Sequence, residues 1–126
     1  MTAPLRLLLD EHISAGVATA MRRIEPRVEV ECLAEWQGGR YLGLADDIVI
    51  AAAYAGGHTL VTYDQVTMIP LLVALAERGD HHGGVVLVSH WTIPQGDVGS
   101  LARTLVALWR AEKGRAWVDR CVYARP

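Results

Sequence analysis

Residues 45–64 read ADDIVIAAAYAGGHTLVTYD, and within them one regular element hands over to another. Asp46 and Asp47 open the apolar run IVIAAAYA, and acidic residues in a first turn suit the helix dipole. Gly56 and Gly57 close it. His58 to Thr62 then form a short run of the kind buried in a parallel sheet, which ends at Tyr63 and Asp64. A helix feeding a fully buried strand is half of a βαβ unit, so the flanks should supply more of the same alternation.

Upstream, Leu5 to Leu9 is an apolar run interrupted by Arg6 and ending at Asp10, Glu11 and His12. Ser14 is a plausible N-cap for a helix whose apolar positions Val17, Ala18, Met21 and Ile24 fall at helical spacing, with Pro26 as its stop. Val28, Val30 and Cys32 alternate with Glu29 and Glu31, the pattern of a half-buried strand near a sheet edge. Residues 34–44, AEWQGGRYLGL, have no period and read as a loop.

Downstream, Met68 to Arg78 carries a helical pattern in which Pro70 is tolerable only in the first turn. Val85 to Val88 is a fourth strand ending at Ser89, His90 and Trp91. Asp97 or Ser100 should cap a long helix through Leu101, Leu105, Leu108 and Trp109, and residues 116–123 supply a last short strand. The alternation predicts an α/β domain with right-handed crossovers and a mostly parallel sheet of four to five strands, covered on both faces.

The chain of 126 residues, 52% hydrophobic, suffices for one core, so a single domain over 1–126 is expected. A formal net charge of -2 argues against coating nucleic acid by positive charge alone, so any RNA contact must be local. The apolar run near the start is too short for a signal peptide or a membrane span, which predicts a soluble, cytoplasmic protein without membrane contact. Cys32 and Cys121 form no C-x-x-C pair and are expected as buried, reduced thiols.

In a parallel sheet every strand's C-terminal end lies on one edge, where open α/β folds bind ligands. Asp10 follows the first strand, Asp64 follows the third, and Asp46 opens the helix leading into that third strand. Three carboxylates meeting at one edge repel one another unless a cation or proton compensates, and hard oxygen ligands select Mg²⁺ or Mn²⁺. Such a cation can activate water toward a phosphodiester. Each aspartate has a plainer reading as a helix cap or strand terminator.

The segments LLLDEHIS, ADDIVIAAAYAGGHTLVTYD and GVVLVS together resemble the PIN-like superfamily, and in particular its short single-domain members related to VapC-type toxins. The resemblance implies a three-layer α/β/α sandwich and a Mg²⁺- or Mn²⁺-dependent endoribonuclease. Asp10, Asp46 and Asp64 fall at the family's acidic positions, with Asp47 held in reserve and Glu11 as a further metal ligand. It also implies an RNA substrate, a small antitoxin partner and a homodimer. One departure stands out: where the family often places another acid after the third strand's Asp, this chain has Gln65, Val66 and Thr67. Thr67 is then a substitute oxygen donor, and a PIN-like RNA- or protein-binding module without catalysis is the alternative.

Arg40 and Tyr41, with Trp36 and Gly38-Gly39, lie on the long loop and are candidates to grip phosphate and stack on a base, or else to fold back on the core. His90 and His12 follow strands and can serve as acid–base or phosphate-contacting groups. His58, His81 and His82 belong to the far edge. Leu105, Leu108, Trp109 and Trp117 read as core or as a dimer face. A phosphoacceptor domain would need a lysine at the active edge, and Lys113, the sole lysine, falls late in the last helix. Neither G-x-x-x-x-G-K-[ST] nor G-x-G-x-x-G follows a strand, which removes the common nucleotide-binding classes.

Overall fold

The computed structural model describes residues 4–126. Five strands alternate with four helices: β1 (Leu7–Leu9), α1 (Ala15–Ile24), β2 (Val30–Cys32), α2 (Asp46–Ala55), β3 (Thr59–Thr62), α3 (Gln65–Arg78), β4 (Val85–Leu87), α4 (Val98–Glu112) and β5 (Cys121–Tyr123). The strands form one sheet in the order β2-β1-β3-β4-β5, parallel throughout. The expected α/β fold is therefore present.

Both faces of the sheet are covered. Leu7 and Leu9 pack with Val61, Val86 and the inner sides of α1 and α4, whereas Leu8, Leu60, Val85 and Leu87 pack with Val49, Ile50, Met68 and Leu75 of α2 and α3. This two-sided burial explains why β1 and β4 read as continuous apolar runs and why even the threonines of β3 are buried, with no alternation in any of the three. Trp109 and Trp117 are core, with Trp109 Nε1 donating to the Leu5 carbonyl at 3.0 Å, and Leu105 is fully buried beside them.

The expected right-handed crossovers describe only part of the connectivity. The step from β1 to β2 runs one way across the sheet through α1, and the steps to β3 and β4 run the other way through α2 and α3 on the opposite face. Those three connections share one hand. The step from β4 to β5 continues in the same direction as the one before it, yet α4 lies against α1, so this connection has the opposite hand. Packing balance supplies the reason: with α4 beside α3, one face would carry three helices and α1 alone would cover the other. Ten residues, 88–97, separate β4 from α4, which is chain enough to reach the other face of the sheet.

Two further expectations are corrected. Helix α3 starts at Gln65 rather than Met68, because Asp64 caps it, and Pro70 therefore lies one turn inside the helix on its exposed side. Cys32 is buried, but Cys121 is exposed, since β5 is an edge strand and the side it shares with Val85 and Leu87 is not covered by a helix. Among the described residues no helix is long and apolar enough to cross a membrane.

Candidate functional site

The strand order reverses at β1: the chain leaves it toward β2 and returns to β3 on its other side. Helices departing on opposite faces from adjacent strands leave a crevice beyond the strand ends, the usual ligand position in open α/β sheets. Asp10 and Asp64 stand at this point, immediately after β1 and two residues after β3.

Asp10 is 7% exposed, and both its oxygens are engaged. Oδ1 accepts the Glu11 backbone N–H at 2.8 Å, and Oδ2 accepts the Thr62 hydroxyl at 2.7 Å. The same Thr62 oxygen accepts the Asp64 backbone N–H at 3.0 Å. One buried threonine thus ties the two strand ends together. Asp64 Oδ1 caps α3 by accepting the Thr67 N–H at 3.1 Å, while its other oxygen has no hydrogen bond among the described residues. The capping reading and the site reading of Asp64 are compatible, because a carboxylate has several acceptor positions.

Asp46 opens α2 and is partly buried. Burial pushes its carboxyl above the ordinary carboxylate range, and the charges of Asp10, Asp64 and Glu11 push the same way, with His12 pulling it back. Asp46 therefore feels the two strand-end aspartates through space. Asp47 instead accepts the Ile48 N–H and borders a different cleft, with Tyr54, Leu75 and Arg78.

Asp10, His12, Thr62, Tyr63, Asp64, His90 and Gln95 line a polar cleft of about 430 Å³. The segment between β4 and α4 forms one wall as a strap. It is fastened by Tyr63 Oη donating to the Ile93 carbonyl at 2.9 Å and by Gln95 Nε2 donating to the His12 carbonyl at 3.0 Å. A larger cleft of about 510 Å³ between α3 and β5 is walled mainly by Ile69, Leu72, Val73 and Ala76. Asp80 and Asp119 on its rim are paired with Arg78 and His81. The reactive group types converge in the smaller cleft.

Not every candidate reaches it. Trp36 is buried against α2, stacks on Tyr41 at 5.1 Å and meets the His58 ring edge-on, and Arg40 lies over the Tyr41 ring. The long loop thus folds back, and neither Arg40 nor Tyr41 lines the cleft. Glu11 and Thr67 are exposed beside it, each joined to a site aspartate through its backbone N–H. His81 binds Asp119 at 2.6 Å, and His82, whose pKa burial lowers, accepts the Gly84 N–H, so both shape the turn into β4. Lys113 lies over Trp109 at the end of α4. Sequence reading passed over Thr62, Tyr63 and Gln95. Only Thr62 carried a signal, as a hydroxyl two residues before Asp64 in a buried strand.

The donor chemistry suits a hard divalent cation, since Asp10 and Asp64 supply oxygen ligands to one cleft and Asp46 is charge-coupled to both. Among the described residues no three His, Cys, Asp or Glu side chains form a ready-made metal cage. Mg²⁺ does not require one, because it keeps several waters and is commonly held by one or two carboxylates. Asp10 and Asp64 would be those ligands; Asp46 does not line the cleft and acts on it through its charge. Comparison with family models, curated proteins and solved structures finds no significant match to this chain.

Proposed function

We propose that this protein is a metal-dependent endoribonuclease of the PIN-like type, holding Mg²⁺ or Mn²⁺ through Asp10 and Asp64 with Asp46 as the third acid. The observation that carries the reading is the placement of Asp10 and Asp64 on the ends of adjacent parallel strands where the strand order reverses, joined by Thr62 and facing one cleft. When bound, the cation supplies an activated water and charge neutralisation for phosphodiester hydrolysis. The chain's own residues do the rest. Thr62 fixes the orientation of the Asp10 carboxylate, Asp64 serves both helix and site, and His12 and His90 stand where a protonated imidazole can contact phosphate or hand a proton to the leaving oxygen.

A second reading is a binding module that uses the same cleft without hydrolysis. It is favoured by Gln65, Val66 and Thr67 standing where a further acid would sit, and by the lack of a closed ligand cage among the described residues. A small antitoxin that covers the cleft and a homodimer are proposals that accompany the first reading.

The deciding experiment is cleavage of a mixed single-stranded RNA pool with and without Mn²⁺, by the wild type and by Asp10→Asn and Asp64→Asn. The ribonuclease reading expects Mn²⁺-dependent cleavage that both substitutions abolish. No cleavage by the wild type and no Mn²⁺-induced rise in Tm would leave the binding module.

A further inference from the structure

The molecule has four tryptophans, and three of them are buried: Trp36, Trp109 and Trp117 are each 7% exposed or less, whereas Trp91 is 86% exposed. An indole so open to water gains almost nothing for the fold. Its segment is nevertheless well anchored. Ser89 Oγ accepts the Trp91 N–H at 3.3 Å, Thr92 bonds back to the Ser89 carbonyl, and Ile93 is fully buried with its carbonyl held by Tyr63. The strap therefore presents Trp91 outward from a fixed base. The His90 ring, which lines the cleft with Asp10 and Asp64, lies 4.9 Å from the indole.

We propose that Trp91 is the platform on which an unpaired base of the substrate stacks, while the adjoining phosphate enters the cleft beside His90. The identity of the polymer rests on the ribonuclease reading above; the stacking role rests on the exposure and anchoring of the ring. A planar heterocycle fits better than a protein side chain. Protein hot spots sit in well-packed pockets whose surrounding contacts exclude water, whereas Trp91 stands open, 86% exposed, among strap residues His90, Thr92 and Gln95 that are themselves exposed. Stacking on one aromatic ring is sequence-tolerant and demands a single strand, because a base within a duplex already has both faces covered.

The test is titration of the Asp64→Asn protein with a short oligoadenylate in Mg²⁺, followed by tryptophan emission, and repeated with a duplex of matching length. Because the other indoles are buried, quenching reports Trp91. The proposal expects quenching by the single strand and not by the duplex; with the oligoadenylate end-labelled and its anisotropy followed, so that the readout does not depend on Trp91, it expects affinity weakened about fivefold or more by Trp91→Ala and largely kept by Trp91→Phe. In the active wild-type background, Trp91→Ala should raise KM with kcat little changed. Unchanged affinity in Trp91→Ala, equal quenching by duplex, or no binding of the single strand would each overturn it. If quenching behaves as expected while the wild type cleaves nothing, the platform stands and the ribonuclease reading falls. If the wild type cleaves RNA and Trp91→Ala does so with unchanged KM, the reverse holds.

Discussion

The Thr62 hydroxyl donates to Asp10 Oδ2 at 2.7 Å, joining the ends of β1 and β3 across 52 residues of sequence. Both groups are buried, so the bond is part of the fold as well as of the cleft. Thr62→Val keeps the shape and removes the donor, leaving a buried carboxylate oxygen without its partner. The expected cost is about 1–3 kcal/mol in urea unfolding, together with a loss of Mn²⁺-dependent cleavage. Thr62→Ser should restore both, and a Thr62→Val protein as stable and active as wild type would remove Thr62 from the site.

Asp64 has two roles that different substitutions separate. Asn still caps a helix, so Asp64→Asn should leave Tm near the wild-type value while abolishing cleavage. Asp64→Ala loses the bond to the Thr67 N–H as well, and should be less stable by about 1 kcal/mol. Equal Tm for the two variants would show that the cap contributes little.

Asp46 makes stability depend on pH in an unusual sense for a carboxylate. Its folded-state pKa is raised above the ordinary 3.8, so the folded protein holds this proton more tightly than the unfolded chain does. That contribution is fully present below 3.8 and is lost as pH rises through the raised value. At neutral pH the charged form therefore opposes folding, and Asp46→Asn should raise stability by at most about 1 kcal/mol, the scale of a partly screened charge interaction. The gain should shrink to nothing in melts run below 3.8, and a destabilised Asp46→Asn at neutral pH would contradict the charge coupling.

Gly83 lets the chain pass close to β3 before it enters β4. A Cβ there would lie 2.4 Å from the His58 carbonyl oxygen, and this backbone atom cannot swing aside. Gly83→Ala should destabilise by about 1–3 kcal/mol, read as a lowered midpoint in thermal or urea melts. A melt that matches wild type would show that the turn from α3 into β4 relaxes freely.

Much of the architecture was legible because β1 and β4 are apolar throughout, β3 sets Leu60 and Val61 between two buried threonines, and the starts of three helices are marked by Ser14, Asp46 and Asp97, with Gly56 and Gly79 at two helix ends. The start of α3 was not, since Gln65, Val66 and Thr67 have no apolar period and Asp64 could be read as a ligand or as a cap. The hand of the last crossover was hidden as well, because it depends on which face lacks a helix, a property of the assembled sheet. Asp10 and Asp64 could be placed from strand ends alone. The fate of Arg40 and Tyr41 could not, because the loop closes through Trp36 burying itself against α2 and meeting His58, contacts between segments far apart in sequence.

The reversed connection to β5 carries the chain over the top of the sheet before α4 begins, and this detour builds the wall that holds His90, Trp91 and Gln95. Strands and carboxylates are fixed beneath it by the two cores, while Trp91, Thr92, Pro94 and Gln95 face water and bear little of that packing. Descendants of this chain can therefore lengthen, shorten or recode those positions, and change what the cleft admits, without renegotiating the architecture below.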